Sequence, residues 1–177
     1  MELLLYLIIV VFVFSLIEYN IFSTLKNKIK HSRSSIDIYL NQRFDLIPNL
    51  VETVKAYAKY EKETITRIVE IRSAYMQKEN RDLKDASYMN SEFNNFIGVA
   101  ESIPELKASR NFLNLQKTLI KLESQLQAAR RIYNGDVTLY NTKITTFPGN
   151  IYANFFNFKE EELFEIEEYK RENPMSR

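Results

Sequence analysis

Residues 115–133 read Leu115-Gln116-Lys117-Thr118-Leu119-Ile120-Lys121-Leu122-Glu123-Ser124-Gln125-Leu126-Gln127-Ala128-Ala129-Arg130-Arg131-Ile132-Tyr133. Apolar side chains recur at alternating steps of three and four through Phe112, Leu115, Leu119, Leu122, Leu126, Ala129 and Tyr133, and continue through Val137, Tyr140 and Ile144. That spacing lays one stripe along a helix, so the segment is read as a single long amphipathic α-helix. The successive four-residue steps at Ala129, Tyr133 and Val137 interrupt a strict heptad and locally relax left-handed supercoiling. Ser109 is a suitable N-cap after the loop Ser102-Ile103-Pro104-Glu105-Leu106-Lys107. The turn-forming run Phe147-Pro148-Gly149-Asn150 ends the helix.

Three more helices are read outward from this one. A stripe through Leu50, Val51, Val54, Tyr57, Ala58, Ile65, Ile68, Val69 and Arg72, with Glu61 inside it, is expected to start at Pro48, a residue tolerated in a first helical turn. Leu83, Ala86, Met89, Phe93, Phe96, Ile97 and Ala100 describe another, entered through Lys78-Glu79-Asn80-Arg81-Asp82. Phe22, Leu25, Ile29, Ile36, Leu40 and Arg43 describe the first. The chain holds three glycines and four prolines, too few turn-formers for the hairpins of an all-β domain. The expected fold is all-α: an antiparallel up-down-up-down four-helix bundle over residues 23–146, one domain with a real core.

Leu3 to Ile17 is an uninterrupted apolar run, somewhat short beside the ~20 residues a spanning helix requires. Its flanks favour an anchor over a cleaved signal: Glu2 is the only early charged side chain, and no small-x-small site follows. Tyr19 and Phe22 suit the headgroup level, and Glu18 lies at the interface if the helix starts at Met1. Residues 1–22 are therefore expected to contact the lipid bilayer as a transmembrane helix continuous with the first bundle helix, since no glycine or proline separates them. Lys26, Lys28, Lys30 and Arg33 follow the run. By the positive-inside rule the N-terminus is expected outside and the bundle in the cytoplasm.

A helix over residues 109–145 spans about 55 Å, against about 36 Å for Phe22 to Asp45. The far end of the fourth helix is therefore expected near the bilayer. That bears on residues 147–177, an aromatic segment followed by an acidic tail. Tyr152, Phe155, Phe156 and Phe158 are read either as caps over the end of the bundle or as membrane contacts; the glutamate-rich tail from Glu160 points to solvent.

Chemistry-bearing motifs are sparse. A di-iron bundle needs two Glu-x-x-His pairs, and the chain has one histidine, His31, in the basic stretch after the apolar run. There is no cysteine for a thiolate site or nucleophile, and Gly98, Gly135 and Gly149 are too scattered for a phosphate-cradling loop. The formal charge of +1 gives no basis for nucleic-acid binding. No cofactor, metal or catalytic residue is expected, and the chain is read as a non-enzyme. The polar residues on or beside apolar stripes, Arg43, Asp45, Glu61, Arg72 and Arg130, are read as ion pairs that set helix register, with a polar binding cleft as the alternative.

The stretch Ser35 to Ala58, and within it Arg43-Phe44-Asp45-Leu46-Ile47-Pro48-Asn49-Leu50-Val51, resembles the LemA family of bacterial membrane proteins. Ile103-Pro104-Glu105-Leu106-Lys107 with Asn111-Phe112, then Ala129-Arg130-Arg131-Ile132-Tyr133-Asn134, then Phe147-Pro148-Gly149-Asn150 with Phe158-Lys159, agree in order. Gln42, Ala56 and Tyr60 depart from the family's usual basic residue, glycine and histidine. The resemblance implies a single-pass protein of the inner membrane with an extracytoplasmic N-terminus and a cytoplasmic helical bundle, and it implies no reaction. It adds Asp37 and Asn49 to the polar structural or interaction residues. The resulting expectation is a membrane-anchored scaffold that presents helix faces to a protein partner, with self-association left open. A membrane-shaping protein using residues 151–158 is the alternative, ahead of a ligand-binding Arg/Asp/Glu cleft.

Overall fold

The computed structural model describes residues 1–57, 62–78 and 82–164. Over those residues the chain is all-α, with helices α1 (Glu2–Phe44), α2 (Ile47–Tyr57), α3 (Lys62–Gln77), α4 (Leu83–Glu101), α5 (Pro104–Lys107), α6 (Arg110–Thr145) and α7 (Gly149–Phe155). It forms two compact units. One takes Met1–Ser35 and Ala129–Phe164, the other Ile36–Ala128. The helices α1 and α6 supply residues to both.

In the unit built on residues 36–128, α1 ends at Phe44 and α2 begins at Ile47, within one residue of the start expected at Pro48. Asp45 N–H donates to Asn41 O and Leu50 N–H to Leu46 O, and the helix is traceable from Glu2 to Ala56. Proline has no N–H, so Pro48 cannot satisfy the carbonyl of Phe44 four residues back. Arg72 of α3 does so instead, Nε donating to Phe44 O at 2.9 Å while Nη2 reaches Asp45 Oδ1 at 3.1 Å. The stripe read as one helix from Pro48 to Arg72 is two elements, α2 and α3, which pack against each other. Neither glycine nor proline marks the division, so period-counting runs through it. Ala58 and Glu61 lie outside the described residues.

The same unit packs α3 on α4, and α5 on both α2 and α4. Its core includes Ile36, Leu40, Phe44, Ile47, Leu50, Met89 and Phe93, each contributing roughly 2 kcal/mol on burial. Phe44 meets Tyr75 edge-on at 5.3 Å and Phe93 at 6.0 Å. A capping box starts α4: Asp82 accepts from Asp85 N–H, and Asp85 accepts from Asp82 N–H. Lys78 pairs with Asp85, chiefly by a hydrogen bond that raises the lysine pKa and lowers that of the carboxyl. Residues 104–107, read from sequence as loop, form the one-turn helix α5, because Pro104 at N1 supplies a helical φ and needs no N–H.

In the unit built on residues 1–35 and 129–164, α1 begins with an exposed apolar run from Leu3 to Ile17 and then buries Phe22, Leu25 and Ile29. This is the one helix, among the described residues, long and apolar enough to cross a membrane, its most apolar 18-residue stretch having a mean hydropathy of 2.3. Ala129, Tyr133, Val137, Tyr140 and Ile144 of α6 and Ala153 of α7 complete the core. The expected stripe on α6 is the buried one. Residues 147–158, read from sequence without regular structure, contain α7, whose seven residues are too few to declare a period.

Candidate functional site

The region where chemistry and exposure coincide is the foot of the apolar helix, in the unit of residues 1–35 and 129–164. Four ring contacts dock residues 152–158 on α1: Phe14 to Tyr152 at 5.6 Å, Tyr19 to Phe156 at 5.2 Å and to Phe158 at 5.8 Å, and Phe22 to Phe158 at 5.2 Å. Tyr152, Phe156 and Phe158 are half-buried against α1. Phe155 is 80% exposed, together with Phe147 at 80% and Ile151 at 57%. Ile151 and Phe155, four apart in α7, share one helical face, and Phe147 stands in the turn that precedes the helix.

Beside these rings Glu18 is only 3% exposed. Its Oε1 accepts from Lys143 Nζ at 3.1 Å, so this charge is paired within the protein. The turn after α6 folds back tightly. A Cβ on Gly149 would lie 2.1 Å from the Lys143 carbonyl oxygen and 3.6 Å from the Phe22 ring.

The extended residues 159–164 are strapped to α6 by two matched sets of bonds. Asn134 donates to Phe164 O at 3.1 Å and accepts from Phe164 N–H at 2.8 Å; Asn141 does the same with Glu161 at 2.8 and 3.0 Å. Tyr133 and Tyr140 hydroxyls donate to Glu162 O and Lys159 O at 2.8 and 2.9 Å, and burial pushes both phenol pKa values up. The geometry is commensurate: seven helical residues rise about 10.5 Å, and three extended ones about 10 Å. A Tyr-Asn pair repeated seven residues later, Tyr133-Asn134 and Tyr140-Asn141, is the sequence signal of this strap, and counting apolar positions passes over it. Arg130 stacks its guanidinium 4.6 Å from the Phe164 ring, and Lys26 pairs with Glu161 at 3.3 Å.

In the unit of residues 36–128, Arg43 is 5% exposed. Its guanidinium donates to Asn90 and, at 2.6 Å, to Asn94; it pairs with Glu123 at 2.6 Å and lies 4.6 Å from the Phe93 ring. Arg43 and Glu123 form the polar wall of a groove of about 420 Å³ between α4 and α6, with Ile97, Leu119 and Ile120 on its apolar side. A second, polar groove of about 510 Å³ is lined by Asn49, Glu52, Asn111 and Asn114. Asp37 is half-buried on α1. Of the residues proposed for a charged cleft, Arg43 pairs with Glu123, Asp45 pairs with Arg72, Arg130 belongs to the other unit, and Glu61 is outside the described residues. Among the described residues no group of three or more His, Cys, Asp or Glu is arranged to hold a metal.

Residues 32–176 match the family model of the LemA family. The chain belongs to the LemA family. Similar proteins include Protein LemA of Metamycoplasma hominis, 26% identical over 82% of this chain and 68% of the relative. Magnetosome proteins MamQ 2 and MamQ 1 of Paramagnetospirillum magneticum are each 22% identical over 85% of this chain. The chain spans 65% of the length of either MamQ protein. In this LemA-family chain, the Arg43-to-Val51 signature acquires a physical account: Arg43 ties α1 to α4 and α6, Pro48 opens the helical hydrogen-bond pattern, and Arg72 fills the gap from α3. The later Tyr133-Asn134 and Phe147-Pro148-Gly149-Asn150 motifs build the strap and the tight turn.

Proposed function

We propose that this LemA-family protein is a single-pass scaffold of the bacterial cell membrane, with a short N-terminus outside and its helical units on the cytoplasmic side. It works by binding a protein partner rather than by catalysis. The observation that carries the reading is α1 itself, which exposes apolar side chains from Leu3 to Ile17 and within the same helix buries Phe22, Leu25 and Ile29. An isolated leader has no reason to be one element with the core of the domain it leads. Lys26, Lys28, Lys30 and Arg33 just beyond the run support the cytoplasmic side for the helical units. The magnetosome names of two relatives agree with a membrane setting.

The groove between α4 and α6 is the favoured docking face, because Ile120 stands exposed beside an apolar floor with a polar rim. A photo-crosslinking residue at position 120 of the full-length protein, activated in native membranes, is expected to give one discrete adduct that Ile97→Asp abolishes. An adduct of twice the chain mass identifies self-association. Absence of any protein adduct, or adducts insensitive to Ile97→Asp, contradicts the reading.

A further inference from the structure

We infer that Phe147, Ile151 and Phe155 form an interfacial wedge that enters the headgroup and acyl boundary of the same leaflet from which α1 emerges. The inference rests on the reading of α1 as a membrane span. It separates the aromatic segment into two jobs, docking on α1 by Tyr152, Phe156 and Phe158, and lipid contact by the face that remains.

Depth is set by the ring contacts. A hydrocarbon core about 30 Å thick takes about 20 helical residues, so a span beginning at Leu3 ends near Phe22. Tyr19 then lies about 5 Å, and Phe14 about 12 Å, inside that boundary. Tyr152 and Phe156 touch Phe14 and Tyr19, which places α7 at the depth of ~5–10 Å where amphipathic helices rest in the interface.

Polarity at that level is arranged to match. Glu18 is buried and bonded to Lys143, so the charge that α1 carries there is withheld from lipid. The face that is not withheld is apolar: Ile151 and Phe155, four apart on α7, and Phe147 in the turn just before it are each more than half exposed. This patch adjoins the exposed apolar surface of α1 through the Phe14–Tyr152 contact. A bilayer is the occupant that covers both surfaces at once.

The chain contains no tryptophan, so single-tryptophan variants of the full-length protein report depth without background. Phe155→Trp, Ile151→Trp, Val10→Trp and Ile132→Trp are reconstituted in phosphatidylethanolamine and phosphatidylglycerol vesicles carrying bromines either near the carbonyl end or near the methyl end of the acyl chains. Position 10 is expected to be quenched most by the deep bromines, positions 155 and 151 most by the shallow ones, and position 132 by neither. Quenching at 10 with none at 155 and 151 overturns the wedge and leaves the span intact. Blue-shifted emission at 155 without quenching does the same, since protein then covers the patch. No quenching at 10, 151 or 155 overturns both span and wedge.

Discussion

Alanine at position 149 is expected to cost about 3 kcal/mol, the upper end for overpacking a closed site, and to lower the thermal midpoint of the full-length protein in mild detergent by roughly 6–12 °C. The added Cβ would sit 2.1 Å from the carbonyl oxygen of Lys143, and that oxygen is backbone, so no rotamer change relieves the overlap. The turn must open. Opening it moves α7 away from Phe22 and loosens the docking of Tyr152 and Phe156 on α1. The other two glycines supply the control. Gly98 and Gly135 lie inside α4 and α6, and a Cβ added at either would meet nothing within 4 Å, so alanine there is expected to stabilise by about 0.5–1 kcal/mol through helix propensity. A Gly149→Ala midpoint as high as that of Gly98→Ala contradicts the tight turn.

Arg43→Met is expected to destabilise by about 2–3 kcal/mol, somewhat less than the loss of one partner from a fully buried pair. Methionine keeps most of the aliphatic stem, so the loss is mainly polar: Asn90 and Asn94 lose their shared donor, and Glu123 loses its cation. The discount reflects Glu123, whose side chain is 31% exposed and recovers some solvation. Arg43→Lys retains the charge but presents one ammonium where the guanidinium reaches two amides and a carboxylate, and it is expected to fall between the two. In a double-mutant cycle, Glu123→Gln added to Arg43→Met is expected to cost less than the sum of the single changes. Thermal unfolding followed by circular dichroism reads all four proteins; additive losses contradict a direct Arg43–Glu123 interaction.

Long elements are legible in the sequence because their signals are periodic. The stripe from Phe112 to Ile144 is the buried face of α6, and the run from Leu3 through Ile29 is one helix with an apolar, exposed start. Features that depend on a distant partner are not legible. Pro48 reads as a helix start and α2 does begin beside it, at Ile47, but the donor that serves Phe44 O comes from Arg72, and nothing local announces that bond. The pairing of Glu18 is hidden in the same way, since its partner Lys143 is far along the chain. The strap over residues 159–164 has no period of its own; its signature lies on α6, in the repeated Tyr-Asn pair whose tyrosines look like ordinary core positions. Within the aromatic segment, only the pairing with α1 distinguishes the docked rings from the exposed Phe155, so composition places Tyr152, Phe155, Phe156 and Phe158 in one class.

The claim that α1 crosses the membrane, leaving the helical units in the cytoplasm, is open to one direct measurement. The natural chain has no cysteine, so single cysteines can be placed at Leu3 and at the exposed Ser124 and treated with a membrane-impermeant maleimide on intact cells, then after permeabilisation. Labelling at position 3 in intact cells, and at position 124 only after permeabilisation, is the predicted result. Labelling of position 124 from outside intact cells contradicts the account.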